Sequence, residues 1–239
     1  MKIVILAAGR GTRMGTLSEN TPKPILTYQG KNLIQHKLEQ LPDIQPGNPC
    51  SISEVIIVVG YLGNAIKEAI SDVFTTETGI NIPITYVWQQ ELKGTADSLW
   101  QAKDILTESG EPFVVLMGDD LYSMADIQAF YEMSKRDPKS WAILVKSQEK
   151  NIPYGKVKVD ERGNLIDFID DLDQKIPYNK MYTGACLLTT DIFDLPMIQR
   201  GGKGEYGLPF TLAQASSSRP IKVIETTHWK RITTPEDLI

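Results

Sequence analysis

With 239 residues, 41% of them hydrophobic and 23% charged, the chain can bury a substantial core and does not have a disordered composition. Its net charge of −5 argues against the broad basic face that nucleic acid requires, and no stretch approaches the roughly 18 apolar residues of a membrane span. Two cysteines, Cys50 and Cys186, make neither a disulfide scaffold nor a metal spacing, so a reducing cytoplasm is the expected compartment.

The first predicted element is a buried parallel strand over residues 3–8. It is only about six apolar residues long with two arginines after it, too short for a signal-peptide core. The strand empties into a loop carrying Gly9, Gly11, Thr12 and Arg13. Glycines there let backbone N–H groups approach phosphate oxygens, and Arg13 adds a planar fork of donors for bidentate phosphate contact. Pro22 and Pro24 bracket Lys23 and bias it toward an extended backbone, which predicts a fixed point charge. Residues 1–24 hold Lys2, Arg10, Arg13 and Lys23 against Glu19 alone. A cationic focus on an acidic chain suits a small polyanion, and the segment reads as a holder for a nucleoside triphosphate. Two better-known phosphate loops are excluded. No Gly-Lys-Ser/Thr follows the glycines, and Met14 stands where the dinucleotide fingerprint needs its third glycine.

Helical spacing covers 32–41, followed by a Pro- and Gly-broken turn. A second strand is predicted over 54–60, then a helix over 63–74 with Ile66, Ile70 and Val73 or Phe74 on one side. A third strand covers 82–88, a helix 95–106, and a fourth strand 112–117 that ends at Gly118-Asp119-Asp120. Residues 124–136 are helical. Strands alternating with helices predict right-handed βαβ units: an α/β, Rossmann-like three-layer sandwich around a mostly parallel mixed sheet. The last third turns β-rich. A hairpin is expected from 155–159 and 165–169, a strand over 181–189, helices over 190–200 and 205–215, and a late strand over 221–225. A soft boundary divides a nucleotide-binding core (1–147) from a part that closes over a second substrate (148–239), both on what reads as one continuous domain. His36 falls inside a helical segment and reads as structural, and His228 beside Trp229 is uninformative.

The chain resembles the sugar-1-phosphate nucleotidyltransferases nearly end to end. The likeness rests on Leu6-Ala-Ala-Gly-x-Gly-Thr-Arg13, Pro22-Lys-Pro24, Gly60-Tyr-Leu-Gly63, Gln89-(x)4-Gly94-Thr95-Ala96 and Gly118-Asp119. Tyr154-Gly155, Thr183-Gly184, Gly204-Glu-Tyr206 and Thr234-Pro-Glu-Asp-Leu238 extend it to the C-terminus. The resemblance implies an enzyme that joins an NTP to a sugar 1-phosphate, with Mg²⁺, and releases pyrophosphate. Leu6, Ala7, Ala8, Gly9, Gly11 and Thr12 would pack the base and ribose and cradle the phosphates. Arg13 would hold the β- and γ-phosphates, Lys23 would neutralise charge at the α-phosphate, and Asp119 would hold Mg²⁺. Gln89 matches the glutamine that reads the base edge in uridylyl- and thymidylyltransferases, and Gly94 and Thr95 would continue that pocket. Gly155, Asp170, Tyr182, Thr183 and Gly184 fall at the sugar-binding positions. Such chemistry needs no side-chain nucleophile, because the sugar phosphate oxygen is already an anion at neutral pH.

Three positions depart from the family's commoner pattern. Trp229-Lys230-Arg231 stands where Trp-x-Asp usually supplies a second metal ligand, and a guanidinium cannot ligate Mg²⁺. Asp170 and Asp171 replace a Glu-Lys pair that binds the sugar and its phosphate, with Lys156 or Lys180 as candidate replacement cations. Tyr182 takes the place of a frequent Asn. A catalytically reduced nucleotide-sugar-binding regulator and a cytidylyltransferase acting on a non-sugar phosphate therefore stand as alternatives. Lys93-Gly-Thr-Ala-Asp-Ser98 also resembles the family's adenylyltransferases. The motifs leave the sugar and the oligomeric state open. The chain ends about one turn after Pro235, where a terminal helix is expected to continue. No appended acyltransferase or left-handed β-helix domain is expected.

Overall fold

In the computed structural model, which describes residues 1–41, 51–148, 155–169, 180–199 and 204–239, the apolar run after Met1 forms strand β1 (Lys2–Ala7). Its side chains divide by parity between two cores, Ile3, Ile5 and Ala7 on one face and Val4 and Leu6 on the other. A strand covered on both faces requires that division. A short hairpin, β2 (Thr27–Tyr28) and β3 (Lys31–Asn32), leads into helix α1 (Leu33–Glu39). The Asn32 side chain caps α1 by accepting from the Gln35 N–H at 2.8 Å.

Strand β4 (Glu54–Val59), helix α2 (Gly63–Ala69), strand β5 (Val73–Thr75) and strand β6 (Asn81–Trp88) follow. Helices α3 (Thr95–Trp100) and α4 (Lys103–Ser109) return the chain to β7 (Phe113–Met117), next to β1. The two-residue β8 (Asp120–Leu121) precedes α5 (Met124–Arg136), which opens on a capping box between Ser123 and Asp126. The remaining elements are β9 (Trp141–Ser147), β10 (Lys156–Val159), β11 (Leu165–Ile169), β12 (Lys180–Leu188), α6 (Leu208–Ala215), β13 (Ile221–Glu225) and β14 (Lys230–Arg231).

One ten-stranded mixed sheet runs β11-β10-β12-β7-β1-β4-β6-β5, with β9 along β12 and β13 paired to β9. Its centre, β7-β1-β4-β6, is parallel, and its flanks are antiparallel except for β13, which runs parallel to β9. Ile34 and Leu38 of α1, Ile66 of α2, and Ile127 and Phe130 of α5 cover one face. Ala96 and Leu99 of α3, Leu106 of α4, and Leu208 and Leu212 of α6 cover the other. The expected α/β three-layer sandwich is what forms. Strands from both sides of residue 147 share this sheet.

Several local expectations need correction. The helix expected over 63–74 ends at Ala69, and Val73–Thr75 instead pairs antiparallel with β6. The β-branched and aromatic Val73 and Phe74 gain more as an edge strand than as a last helical turn. The helix expected over 95–106 is two helices, separated where Ala102 leaves helical geometry (φ −90°, ψ 3°). Of the helix expected over 190–200, only a 3₁₀ segment forms (Thr190–Asp194), followed by extended Leu195 before Pro196. The pair β8–β14, the hairpin β2–β3 and the strand β9 were not anticipated. Lys23 is not extended: it opens a single 3₁₀ turn (Lys23–Ile25), and the extended residue is Pro22 (ψ 137°).

Candidate active site

Parallel strands end together, and the loops leaving β1, β6 and β7 open on one side of the sheet. The chain steps from β1 outward to β4 and β6, then crosses back to β7 on the other side of β1. A crevice forms where such a sheet reverses direction. Here it is a cavity of about 540 Å³. It is lined by Leu6, Ala7, Ala8, Gly9, Gly11, Thr12, Arg13, Lys23, Gln89, Gly94, Thr95 and Asp119, all of them predicted site residues. The end of β7 and the end of β6 are separated by three strand spacings, about 14 Å.

At the β7 end, Gly11 has φ 64°, and a side-chain carbon there would meet Lys23 Cβ at 2.8 Å. Glycine is therefore needed both for the left-handed turn and for the packing of the Lys23 stem against the loop. Met14 N–H closes the turn onto the Gly11 carbonyl at 2.8 Å, and Ser18 Oγ donates to the same oxygen at 2.9 Å. The Lys23 side chain, 6% exposed, directs Nζ to Asp119 Oδ2 at 2.6 Å, while Asp119 keeps 30% of its side-chain surface open. Arg13 is exposed at the rim, and Arg10 lies over the Tyr61 ring at 5.0 Å.

A second polar layer supports that pair. Lys37, wholly buried on α1, donates to the Gly118 carbonyl at 2.9 Å and to its own helix at Leu33 O at 3.0 Å. Burial lowers its pKa from 10.5 to about 8, against the opposing pull of Asp119 and Asp120. Asp120 is buried and accepts from Trp229 Nε1 at 3.1 Å. Burial, then the neighbouring Asp119 charge, pushes its carboxyl up to about 7. Of the two adjacent carboxylates, Asp119 faces the cavity and Asp120 faces the interior.

At the β6 end, Gln89 continues the ladder through its N–H to Val59 O at 2.8 Å. Its side-chain Nε2 donates to Gly94 O at 3.1 Å and to Asp97 Oδ2 at 2.7 Å. Gly94 has φ 102°, and a side chain there would collide with the Tyr206 backbone at 2.5 Å. Thr95 Oγ1 accepts from the Leu208 N–H at 2.9 Å, tying α3 to the start of α6. Ser98 Oγ, one turn further along α3, is buried against the cavity without a hydrogen-bond partner among the described residues.

The described positions among those named for the sugar lie elsewhere. Gly155, Tyr182, Thr183 and Gly184 are not among the cavity-lining residues, and Asp170 and Asp171 lie outside the described residues. Thr183 is buried and donates to Leu144 O at 2.9 Å, while Tyr122 donates to the Thr183 carbonyl at 2.8 Å. Gly184 packs against Met117. The Tyr182 hydroxyl is buried beside the Cys186 thiol, away from the cavity. Lys180 pairs with Glu225 and Lys156 is fully buried, so neither is presented to the cavity as a free cation. Arg231 pairs directly across β8–β14 with Asp120, beside the acidic pair. His36 receives the structural role expected of it, with Nε2 2.7 Å from Tyr28 O.

Arg10, Pro24, Leu92, Ser98, Met117 and Glu205 also line the cavity and were not singled out from sequence. Ser98 follows Thr95 by one helical turn, a spacing that could have found it. Glu205 arrives from a distant segment and lies within the Gly204-Glu-Tyr206 motif, to which no site role was attached.

A parallel-centred α/β sheet with a glycine-rich, cationic crevice at its switch point defines a nucleotide-handling protein. Residues 2–217 match the Nucleotidyl transferase family, and the chain belongs to it. It is similar to the UTP--glucose-1-phosphate uridylyltransferase AglF of Haloferax volcanii, 28% identical over 99% of this chain and 93% of that protein. It is 31% identical to the mannose-1-phosphate guanylyltransferase catalytic subunit beta of Dictyostelium discoideum, over 81% of this chain. That match spans about half (51%) of the guanylyltransferase. In fold it is similar to a UDP-glucose pyrophosphorylase solved with UDP-glucose, with a TM-score of 0.75 and 21% identity over all of this chain and 95% of that one. No helix among the described residues is long and apolar enough to cross a membrane.

Proposed function

We propose that the protein transfers a nucleotidyl group from UTP or dTTP to a sugar 1-phosphate, with Mg²⁺ as cofactor, giving an NDP-sugar and pyrophosphate in the cytoplasm. One observation carries this reading: a single cavity has a cationic, glycine-rich end at β1 and β7 and a glutamine at β6, about 14 Å away on the same sheet. That span suits a nucleoside triphosphate with its phosphates at Lys23 and its base at Gln89. A relative named for uridylyl transfer to glucose 1-phosphate, matched over nearly its whole length, supports the choice of base and acceptor class.

In this reading Leu6, Ala7 and Ala8 pack the base and ribose, and Gly9, Gly11 and Thr12 bring backbone donors to the phosphates. Arg13 holds the β- and γ-phosphates and stabilises the leaving pyrophosphate. The sugar phosphate oxygen attacks the α-phosphorus in line as the bond to the β-phosphate oxygen breaks, with no proton to move. Asp119 would hold the metal. No three His, Cys, Asp or Glu side chains cluster as ligands among the described residues. One carboxylate on the cavity wall suits Mg²⁺, whose other ligands are phosphate oxygens and water. Bound there, Mg²⁺ supplies positive charge to the triphosphate. Lys23 then shares its ammonium between Asp119 and the α-phosphate oxygens, where charge develops. Gly155, Asp170, Tyr182, Thr183 and Gly184 remain the positions that the family resemblance assigns to the sugar, although Gly155, Tyr182, Thr183 and Gly184 do not line this cavity.

The test is Mg²⁺-dependent pyrophosphate release, crossing UTP, dTTP, CTP, ATP and GTP with a panel of sugar 1-phosphates. Release with UTP or dTTP, reduced at least a hundredfold in Asp119→Asn, is the expected result. Wild-type rates in that variant would remove the metal assignment, and a preference for CTP with a non-sugar phosphate would replace the acceptor class. The second reading, a nucleotide-sugar-binding regulator, is favoured by Arg231 standing opposite Asp120. Tight NTP binding with no release across the panel would select it.

A further inference from the structure

Gln89 is 4% exposed and held at both ends, and its amide offers the cavity only one kind of hydrogen bond. Its backbone is fixed by the bond to Val59 O, so the side chain leaves β6 from a defined point. Of its two amide ends, one meets the Gly94 carbonyl at 3.1 Å and the Asp97 carboxylate at 2.7 Å. Both partners only accept hydrogen bonds, so the end facing them has to be the NH₂. The usual ambiguity between amide oxygen and nitrogen is removed by chemistry. Both hydrogens are then used inside the protein. Oε1 has no partner among the described residues and is not among the buried orphaned atoms, which leaves it facing the cavity that Gln89 lines.

We infer that Asp97 is a positioning residue for base selection: it locks the Gln89 amide so that only an acceptor faces the base. The inference rests on the reading that this cavity binds an NTP. A free glutamine can offer either its oxygen or its NH₂, and so accepts a base edge of either polarity. Gln89 locked by Asp97 cannot. The bases it accepts carry N–H at the ring nitrogen of the pairing edge: uracil and thymine at N3, guanine at N1. Cytosine and adenine carry a bare, accepting nitrogen there, which an acceptor repels, so either base pairs with Oε1 only by shifting to present its neighbouring exocyclic amino group. Asp97 contacts neither base nor phosphate in this scheme and acts through Gln89 alone. Its charged carboxylate is the shorter of the two acceptors that fix the amide, and a neutral amide at position 97 could turn to offer a donor and leave only the longer Gly94 contact to hold the orientation.

The experiment measures dissociation constants by calorimetry and kcat/KM by pyrophosphate release, for UTP against CTP and for GTP against ATP. Wild type is compared with Asp97→Asn and Asp97→Ala, and the thermal midpoint of each variant reports folding. Wild type is expected to favour the ring N–H member of each pair. In Asp97→Asn that preference should fall at least tenfold while the kcat for the favoured substrate stays within about threefold. A residue with a merely structural role would weaken both members equally and leave their ratio unchanged, and that result overturns the inference. A wild type that prefers CTP or ATP overturns the acceptor-only presentation and with it the uracil or thymine assignment. A wild type that prefers UTP, with a ratio unmoved in both variants, removes Asp97 alone and leaves the assignment standing. Failure of the wild type to bind any of the four overturns both.

Discussion

Around the cavity, the groups proposed to meet a nucleotide leave three strands of one parallel set, and apart from Arg13 at the rim the charged or amide-bearing ones are held by named partners. Lys23 is paired to Asp119, Asp119 follows a carbonyl held by Lys37, and Gln89 is held by Gly94 and Asp97. Of the positions named for the acceptor, Tyr182, Thr183 and Gly184 come from the antiparallel strand β12, laid down more than a hundred residues after β1. There Thr183 is turned into the core, the Tyr182 hydroxyl is buried beside the Cys186 thiol, and Lys180 is committed to Glu225. The cavity has its lysine, carboxylate and glutamine fixed by partners within the protein, which is what electrostatic catalysis needs. The acceptor end offers the cavity no comparable set of fixed polar groups among the described residues.

If that contrast is functional, perturbations at the two ends should separate. The largest effect is expected at Lys23→Met, which removes the buried ammonium and leaves the Asp119 charge without its partner. Turnover should fall by about 10² to 10³ for every NTP–acceptor pair, comparable to the loss of one preorganised donor. Steady-state assays across several acceptors would show it, and a loss confined to one acceptor would break the contrast.

The next effect is one of stability and tests the layer beneath. Lys37 has a folded-state pKa near 8 against an ordinary 10.5. Between those values the unfolded chain binds more protons than the native one, so the Lys37 contribution to stability rises with pH across that window. At pH 7 and below both states carry the charge, and the cost of burying it is fully present. Relative to Lys37→Met, the wild type should therefore gain on the order of 3 kcal/mol between pH 7.5 and 10.5. Urea unfolding at a series of pH values measures this. A difference that does not change with pH would mean that the ammonium is not buried at a cost.

The smallest effect is expected at Arg231→Asp. Exchanging a cation for an anion opposite Asp120 adds negative charge beside the acidic pair, where an acceptor phosphate would have to approach. The acceptor KM should rise about three- to tenfold with NTP affinity unchanged within about twofold. Calorimetry with NTP and kinetics with varied acceptor separate the two. An equal loss of NTP affinity would place Arg231 at the nucleotide end and redraw the boundary.

The contrast also explains which features were legible beforehand. The strand and loop over residues 3–13 are contiguous, and their glycines, arginine and apolar run report directly on a backbone covered on both faces and opened at its end. Asp119 was legible because it follows an apolar strand. Val73 and Phe74 were misread because their spacing fits a helical stripe as well as an edge strand, and only the adjacent β6 decides between them. Lys23 was expected to be extended because Pro24 disfavours the helical region before it. The 3₁₀ turn it opens places its stem against Gly11 and its ammonium on Asp119, contacts that repay the local cost.

By itself, then, the sequence determined the alternation of strands and helices, the glycine-rich, cationic character of the first loop and the carboxylate after β7. Each of these is written within a few neighbouring residues. Only the tertiary structure decided which carboxylate faces the cavity, that a lysine from α1 lies under Gly118, that Asp97 orients Gln89, and that Arg231 meets Asp120. Those relations join residues up to 111 positions apart. They depend on burial and on which hydrogen bonds remain unpaired, and neither is set until the sheet and its covering helices have come together.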